Sequence, residues 1–259
     1  MNDCVGSGNN ANGGGLWADC ITPDWDAPAN VRALVTTRAG GVSAAPWAGL
    51  NLGLHVGDDP AAVAENRRRL RACLPAEPVW LHQVHGTTCI AAAQAPRGAQ
   101  ADAAWTDVPG VVCAVLTADC LPVFFCDAAG ARVAVAHAGW RGLLDGVLES
   151  TVASLRAAGA QELMAWIGPG IGPQAFEVGG EVRDAYLAHD TDAAAAFVRR
   201  DNGRWLADLP QLATQRLRSA GLRRIATTVV CTYGDAERFY SYRRDGVTGR
   251  MASCIWLAW

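Results

Sequence analysis

The segment TADCLPVFFCDAAGARVAVAHAGWRG, residues 117–142, constrains the fold of this chain more than any other. Two short apolar runs flank the turn-forming residues Asp-Ala-Ala-Gly at 127–130, which predicts a hairpin of two strands. Cys120 and His137 stand at the far ends of these strands, nine residues before and eight residues after Ala129. Pairing across the turn therefore predicts that the thiol and the imidazole lie a few ångströms apart.

A third candidate group comes from the segment Leu-His-Gln-Val-His-Gly at 81–86. Alternation of side chains predicts a strand over 79–84, with His85 at its end before Gly86. His82 and His85 cannot both point the same way in such a strand.

One cysteine and two histidines support three interpretations. A thiolate and two imidazoles suit zinc and leave a fourth position for water or substrate, as in a catalytic site. Alternatively, Cys120 is a nucleophile activated by His137, with Asp119 or Gln83 orienting the imidazole. In the third interpretation, Cys120 is a buried core thiol and the histidines are polar caps on strand ends.

Composition argues against two other kinds of metalloprotein. A blue-copper centre adds a weak axial Met, and the methionines are only Met1, Met164 and Met251. A multicopper oxidase needs many more imidazoles than the five histidines at 55, 82, 85, 137 and 189. The sequence also lacks the HxE and PCxxC segments of zinc-dependent nucleobase deaminases.

Composition further predicts a soluble, cytoplasmic protein. No apolar run approaches the roughly 18 residues that span a bilayer, and the nine cysteines are an odd number without CxxC pairs, which favours reduced thiols. The net charge is −3, and the arginine cluster at 67–71 fits a solvated helix face. We therefore expect no nucleic-acid partner, no membrane association and no obligate protein partner.

Apolar runs and helical periodicities alternate along the chain, which favours an α/β (α+β) fold of mixed sheets with flanking helices. Residues 1–15, rich in Gly and Asn, are predicted to be a disordered tail, and residues 16–259 a single compact catalytic domain. The predicted strands cover 33–37, 79–84, 87–92, 111–116, 123–126, 132–137, 163–168, 225–231 and 253–258. The predicted helices cover 60–73, 143–158, 180–188 and 209–220.

Seven segments in order resemble one family. TRAGGVS, GLNLGLHVGDDPAAVAENRRRL, WLHQVHG, TADCLPV, HAGWRG, IGPGIGPQAFEVG and FYSYRRDGVTGRMASCIW are similar to the laccase-domain proteins, once called multicopper polyphenol oxidoreductases and now described as purine nucleoside phosphorylases. The resemblance runs from Val31 to Trp256. It implies a compact α/β domain related to the cytotoxic necrotizing factor-like cysteine hydrolases.

The resemblance also implies a site and an activity. The metal ligands carried over are His85, Cys120 and His137, with zinc, or copper in some accounts, as the metal. The implied reaction is phosphorolysis of adenosine, inosine, guanosine and methylthioadenosine, with adenosine deamination as a side activity. Some bacterial members are described instead as peptidoglycan-editing amidases, which remove a wrongly attached amino acid from a nucleotide-linked muramyl precursor. A non-enzymatic small-molecule or partner-binding scaffold is the third class of function.

Phosphorolysis requires groups that bind phosphate and nucleoside. Arg38, before Gly40, and Arg141, after Gly139, are candidate phosphate clamps, because arginine forks match phosphate oxygens. Asn51 and Gln83 are candidates to hydrogen-bond a ribose or base. The Gly-rich segment 167–173 lacks the GxxxxGK[ST] pattern, so we expect it to form a tight wall of the cavity rather than a nucleotide loop.

Overall fold

The computed structural model describes residues 16–259, apart from the side chain of Trp17, and these residues form a mixed α/β domain. The predicted tail, residues 1–15, lies outside the described residues. The strands, numbered β1 to β12, are Val31–Val35, Cys89–Ala91, Ala103–Thr106, Cys113–Thr117, Leu121–Asp127, Val133–Ala138, Leu163–Ile167, Glu177–Val178, Phe197–Arg199, Trp205–Ala207, Arg224–Thr227 and Met251–Leu257.

The helices predicted over 60–73, 180–188 and 209–220 begin and end within two residues of the observed limits, whereas the short helix at 242–245 was not predicted. Asp59 and Asp208 cap two of them, each accepting a backbone N–H at the first turn, and a proline stands at the start of each helix. Within residues 16–259, no helix is long and apolar enough to cross a membrane. The helices, numbered α1 to α6, are Pro60–Arg71, Trp140–Asp145, Val147–Ala157, Gly180–His189, Leu209–Ser219 and Tyr242–Asp245.

Three sheets organise the domain. The largest has six strands in the order β11-β7-β5-β6-β3-β2, with the β5–β6 hairpin at its centre. Its outer pairs, β11–β7 and β3–β2, are parallel, and its inner pairs are antiparallel. A second, antiparallel sheet has the order β1-β12-β4, and a small third sheet has the order β8-β10-β9.

Alternate residues of β5 face two separate cores. Val123 and Phe125 pack in a core with residues of α3 and α5, whereas Phe124 and Cys126 pack in a core with residues of β1, β4 and β12. A further core lies on the other face of the three-stranded sheet, where Leu70 of α1 is buried. Because both faces of β5 are covered, this strand is apolar along almost its whole length.

The predicted hairpin is confirmed. Strands β5 and β6 pair antiparallel, with Pro122 opposite His137. The carboxylate of Asp127 accepts two backbone N–H groups across the turn, at 2.7 and 3.1 Å, which stabilises the reversal of the chain. The register brings the far ends of the two strands together, as the residue count predicted.

The prediction of a strand over 79–84 is wrong. This segment makes only isolated bridges, from Val79 to Cys113 and from His82 to Gln100. At Gln83 the side chain takes the place of a paired backbone: its amide oxygen accepts the N–H of Leu116 at 2.7 Å, and its amide nitrogen donates to the carbonyl of the same residue at 2.9 Å. The side chain therefore takes up the backbone N–H and carbonyl of Leu116 at the outer edge of β4, which would otherwise need a neighbouring strand.

Other elements differ from the sequence predictions at glycines and at short strands. The helix predicted over 143–158 is divided into α2 and α3 at Gly146, whose φ of 102° interrupts regular helical geometry. The strand predicted over 225–231 ends at Thr227. Strands β3, β8, β9 and β10 were not predicted, since each spans four residues or fewer and carries little periodicity.

Candidate metal centre

The thiol of Cys120 and the imidazoles of His85 and His137 lie together beside the central hairpin. Cys120 directly precedes β5, and His137 is the last residue but one of β6. One ligand atom from each of the three residues lies within 4.8 Å of the others. The Cys120 Sγ to His85 Nε2 distance is 3.8 Å, and the two imidazole rings meet edge to face with centroids 4.7 Å apart.

His85 reaches the cluster from a loop in an uncommon backbone conformation. Its φ is 59°, in the left-handed region that non-glycine residues rarely adopt. The carboxylate of Asp102 holds this conformation by accepting the backbone N–H groups of Val84, His85 and Gly86 at 3.1, 3.0 and 2.7 Å. Three hydrogen bonds to a buried charge offset the local strain.

The same carboxylate orients His137. An Asp102 oxygen lies 2.8 Å from His137 Nδ1, and both side chains are buried. With Nδ1 donating to the carboxylate, Nε2 is left for a ligand on the other side of the ring. Asp102 therefore positions two of the three groups in the cluster.

Cys120 is fixed by the turn that precedes it. Asp119 has a φ of 90°, and its carboxylate accepts the Thr232 hydroxyl and the Arg243 backbone N–H, each at 2.7 Å. Space around the thiol also depends on Gly139, because a Cβ there would lie 2.9 Å from the Cys120 sulfur and 2.8 Å from His85 Cδ2. Any larger residue at 139 would displace one of these two side chains.

The electrostatics of the cluster favour a thiolate. Burial opposes ionisation of Cys120, but the charge of His137 and hydrogen bonds from both histidines outweigh it and lower the thiol's pKa from 9.0 to about 6. Burial likewise opposes protonation of His137, yet the charge of Cys120 and the hydrogen bond to Asp102 raise its pKa from 6.5 to about 9. These shifts favour a thiolate–imidazolium pair in the metal-free protein.

The donor set fits a divalent metal ion. Zinc–sulfur and zinc–nitrogen bonds of about 2.3 and 2.0–2.1 Å in tetrahedral geometry place the two donor atoms about 3.6 Å apart. The observed separation of 3.8 Å between Cys120 Sγ and His85 Nε2 needs almost no adjustment. Three protein ligands leave one coordination position for water or substrate.

A cavity of about 370 Å³ opens over the cluster. A volume of this size suits a small organic ligand. Besides the three residues of the cluster, its walls are formed by His55, Gln83, Leu116, Thr117, Ala118, Tyr242 and Arg250.

Four side chains were predicted to bind substrate, and the structure places one of them, Gln83, in the cavity wall. Its amide is already bonded to the backbone of β4. Arg38 is not in the wall: its guanidinium donates to the carbonyls of Ala48 and Ala236 and lies over the ring of Tyr240. A phosphate at Arg38 would have to displace these carbonyls.

The other two predicted residues also lie outside the cavity wall. Arg141 is exposed on α2, with its guanidinium 5.0 Å from the ring centre of Trp140. Asn51 is buried, and its amide oxygen accepts the backbone N–H groups of Gly53 and Arg250 at 2.9 Å. It supports a loop instead of contacting the cavity.

The Gly-rich segment 167–173 is not a wall of the cavity either. It packs behind the turn that carries Cys120, where the backbone N–H of Ile171 donates to the Asp119 carbonyl at 2.8 Å. A Cβ on Gly170 would come within 2.9 Å of that carbonyl, so the close approach requires glycine.

Several groups around the cluster were not anticipated, among them Asp102, Arg250, His55 and Tyr242. Asp102 follows a loop of no clear pattern, and its role depends on the adjacency of β3 and β6 in the sheet. Arg250 offered one signal, since it stands directly before an apolar strand, as Cys120 does. His55 lies in a Gly-containing loop, and nothing in its surroundings separated it from an ordinary surface histidine.

The chain is similar to a family and to several bacterial proteins along nearly its whole length. A family model described as multi-copper polyphenol oxidoreductase laccase matches residues 32–258. Two relatives named purine nucleoside phosphorylase, from Pseudomonas aeruginosa and Escherichia coli, are 58% and 54% identical, each over 92% of this chain and 98% of the relative.

Solved structures resemble the fold. A Neisseria meningitidis protein superposes with a TM-score of 0.88 at 49% identity, covering 93% of this chain and 100% of that chain. YlmD from Geobacillus stearothermophilus superposes with a TM-score of 0.80 at 33% identity, covering 89% and 93%. These similarities confirm the resemblance found in the sequence segments and the mixed α/β fold.

Replacement of Asp102 by Asn should weaken metal binding. An amide cannot accept from the backbone of 84–86 and from His137 Nδ1 at once, because its NH₂ group is a donor. We expect the affinity of the chelator-treated protein for zinc to fall about 10- to 100-fold, measured by competition with a chromophoric chelator. Asp127→Asn is the matched control, a buried carboxylate that accepts backbone N–H groups at the other end of the hairpin. Equal zinc affinity in both variants would contradict this role of Asp102.

Alkylation should single out Cys120 in chelator-treated protein. Because its pKa is about 6, the thiolate persists above that pH and is lost as the pH falls through it. We expect iodoacetamide at pH 7 to modify Cys120 first, located by peptide mass spectrometry, and zinc to protect it. Cys73, whose pKa is raised by burial, is the internal control. Faster labelling of Cys73 than of Cys120 would refute the thiolate assignment.

Proposed function

The chain belongs to the multi-copper polyphenol oxidoreductase laccase family, and from that membership we propose that it is a zinc-dependent purine nucleoside phosphorylase. The observation that carries the proposal is the cluster of His85, Cys120 and His137, which opens into a cavity of small-molecule size. The names of the two relatives with 58% and 54% identity support the same reaction class. The absence of additional histidine clusters among residues 16–259 speaks against a laccase with several coppers.

The proposed substrates are adenosine, inosine, guanosine and methylthioadenosine, together with inorganic phosphate. A phosphate oxygen forms a bond to C1′ of the ribose, the C1′–N9 bond breaks, and the purine leaves with the electron pair. The proton carried by the phosphate monoanion ends on the purine, so atoms and charge balance. We also propose a cytoplasmic location, supported by the eight cysteines of residues 16–259, which are all free thiols.

The residues around the cavity have distinct parts in this reaction. His85, Cys120 and His137 would hold the metal, which when bound supplies a Lewis acid to an oxygen of water or substrate. Asp102 holds the backbone of His85 and orients the imidazole of His137, so that the site does not have to rearrange during turnover. Tyr242, in the cavity wall, offers an aromatic surface against which a purine can pack. The side reaction, deamination of adenosine, would use water at the same centre.

A second candidate function is amide hydrolysis, as in peptidoglycan-editing proteins. The observation in its favour is the arrangement Cys120–His137–Asp102, a thiolate beside an imidazolium that a buried carboxylate orients. This order of groups is the one found in cysteine hydrolases, and it is what supports a relation of the fold to the cytotoxic necrotizing factor-like hydrolases. In that mechanism Cys120 would form a covalent acyl intermediate.

Product analysis with adenosine separates these functions. We expect ribose 1-phosphate and adenine only when phosphate is present, and inosine, from deamination, with or without it. Chromatography of the reaction with protein purified without a metal-loaded resin measures all three products. Adenine released at full rate without phosphate, or no adenine under either condition, would rule out the phosphorylase. Release of free amino acid from a muramyl precursor would then support the amidase.

Cys120→Ser tests which part the thiol takes. Under our proposal the variant loses bound zinc and activity together, because serine supplies no thiolate, and no covalent adduct forms on the native enzyme. Metal analysis and intact mass spectrometry during turnover measure both effects. Cys73→Ser, a half-buried thiol outside the cavity wall, should retain both zinc and activity. An adduct on Cys120 would point instead to a nucleophile.

A further inference from the structure

We propose that Arg250 binds the phosphate co-substrate through the Nε–Nη2 edge of its guanidinium, in an anion subsite that it forms with His55 in the cavity wall. This inference rests on the proposed phosphorylase function. It places the phosphate at residues different from the two arginines that the sequence suggested.

The backbone and stem of Arg250 are fixed. Its N–H donates to the Asn51 amide oxygen at 2.9 Å, and the residue directly precedes β12. The stem passes so close to Gly53 that a Cβ there would lie 2.9 Å from Arg250 Cγ. The loop around Asn51 therefore holds the side chain on a defined path into the cavity wall, so little conformational entropy is lost when an anion binds.

One end of the Arg250 guanidinium is bound and the other is free. Nη1 donates to the carbonyls of Thr248 and Gly249 at 3.0 and 2.9 Å, which fixes the plane of the group. Within residues 16–259, Nε and Nη2 have no protein partner, and no carboxylate forms an ion pair with this arginine. The Nε–Nη2 edge is one that binds two phosphate oxygens in parallel.

Comparison with two other arginines shows that an unbonded Nε–Nη2 edge is not shared by every arginine of this chain. Arg38 uses both Nε and Nη2 on the carbonyl of Ala48, and Arg67 uses the same two nitrogens on the carbonyl of Leu52. In both residues Nε and Nη2 donate to a backbone carbonyl and stabilise a loop, so this edge of the guanidinium is not available to a ligand. Arg250 is held by Nη1 alone, so its Nε–Nη2 edge has no protein partner among residues 16–259, and the residue lines the cavity.

A second nitrogen-bearing side chain lies close to Arg250. His55 lies in the same cavity wall, and burial together with the charges of Arg250, His82 and Arg67 lowers the pKa of His55. The negative charges of Cys120 and Asp119 act on Arg250 in the opposite sense, but among residues 16–259 neither forms an ion pair or hydrogen bond with its guanidinium. A neutral imidazole can still exchange one hydrogen bond with a phosphate oxygen, so His55 adds a polar contact while Arg250 supplies the charge.

The positions of these residues indicate where phosphate and nucleoside would lie in the cavity. The cluster of His85, Cys120 and His137 and the side chain of Arg250 line one cavity of about 370 Å³. Phosphate held by Arg250 would therefore share this space with the nucleoside, as attack on C1′ requires. Arg250 takes no part in bond making, since it binds and orients the attacking anion.

The test compares Arg250→Lys with Arg38→Lys in zinc-loaded, full-length protein. Lysine keeps the charge at 250 but cannot form the fork, so the KM for inorganic phosphate should rise about 10- to 100-fold. Zinc content and the KM for inosine should change less than twofold. Arg38→Lys, whose fork faces Ala48, should leave the KM for phosphate unchanged within twofold. An unchanged phosphate KM in Arg250→Lys would overturn the inference while the phosphorylase function stands.

Direct binding separates failure of the inference from failure of the function. If the wild-type protein forms no sugar phosphate, titration calorimetry with inorganic phosphate still tests the subsite. Binding by the wild type that Arg250→Lys weakens at least tenfold, and Arg38→Lys does not, supports the anion subsite. Equal binding by all three proteins, or no binding by the wild type at millimolar phosphate, overturns it.

Discussion

The buried carboxylate of Asp102 is the interaction on which the rest of the site depends. It accepts three backbone N–H groups from the loop of His85 and contacts Nδ1 of His137, so one charge satisfies four donors. Burial opposes its ionisation, yet the hydrogen bonds from His137 and from the loop lower its pKa. Without this carboxylate, the loop of His85 would lose three hydrogen bonds, and the imidazole of His137 would lose the contact that orients it.

The sheet explains why Asp102 is available at this point. Strand β3 pairs with β6 in a register that sets Ala103 opposite Ala136, and the backbone N–H of His137 donates to the Asp102 carbonyl at 2.7 Å. His137 and its anchor Asp102 are therefore attached to adjacent strands, and Cys120 directly precedes the next strand, β5. A scaffold of paired strands holds such groups more precisely than a mobile loop. His85 comes from a loop that Asp102 fixes, and Cys120 from the turn before β5 that Asp119 fixes.

The sequence predicted the parts of the site that depend on local structure. A turn between two apolar runs, with a count of residues on each side, was enough to bring Cys120 near His137. The same reasoning failed at 79–84, because the side chain of Gln83 pairs with Leu116 in a way that alternation of side chains does not reveal. His85 nevertheless belongs to the cluster, as the family resemblance implied.

Local sequence patterns did not predict the groups that tertiary structure brings to the site. Asp102 and Arg250 are distant from Cys120 in the sequence. The order of strands in the sheet brings Asp102 to His137, and a hydrogen bond to the buried amide of Asn51 holds the backbone of Arg250. Glycine-flanked arginines were reasonable candidates for phosphate, but Arg38 shows that such a fork can equally serve backbone carbonyls. The free hydrogen-bonding edge of a guanidinium is a property of the folded chain alone.

X-ray absorption at the metal edge of the isolated protein tests the central claim most directly. If Asp102 presents His85 and His137 together with Cys120 to one ion, the spectrum will show one sulfur at about 2.3 Å and two imidazole nitrogens at about 2.0–2.1 Å. The sulfur contribution will disappear in Cys120→Ser. A metal shell of oxygen and nitrogen atoms alone, unchanged by that substitution, would contradict the account.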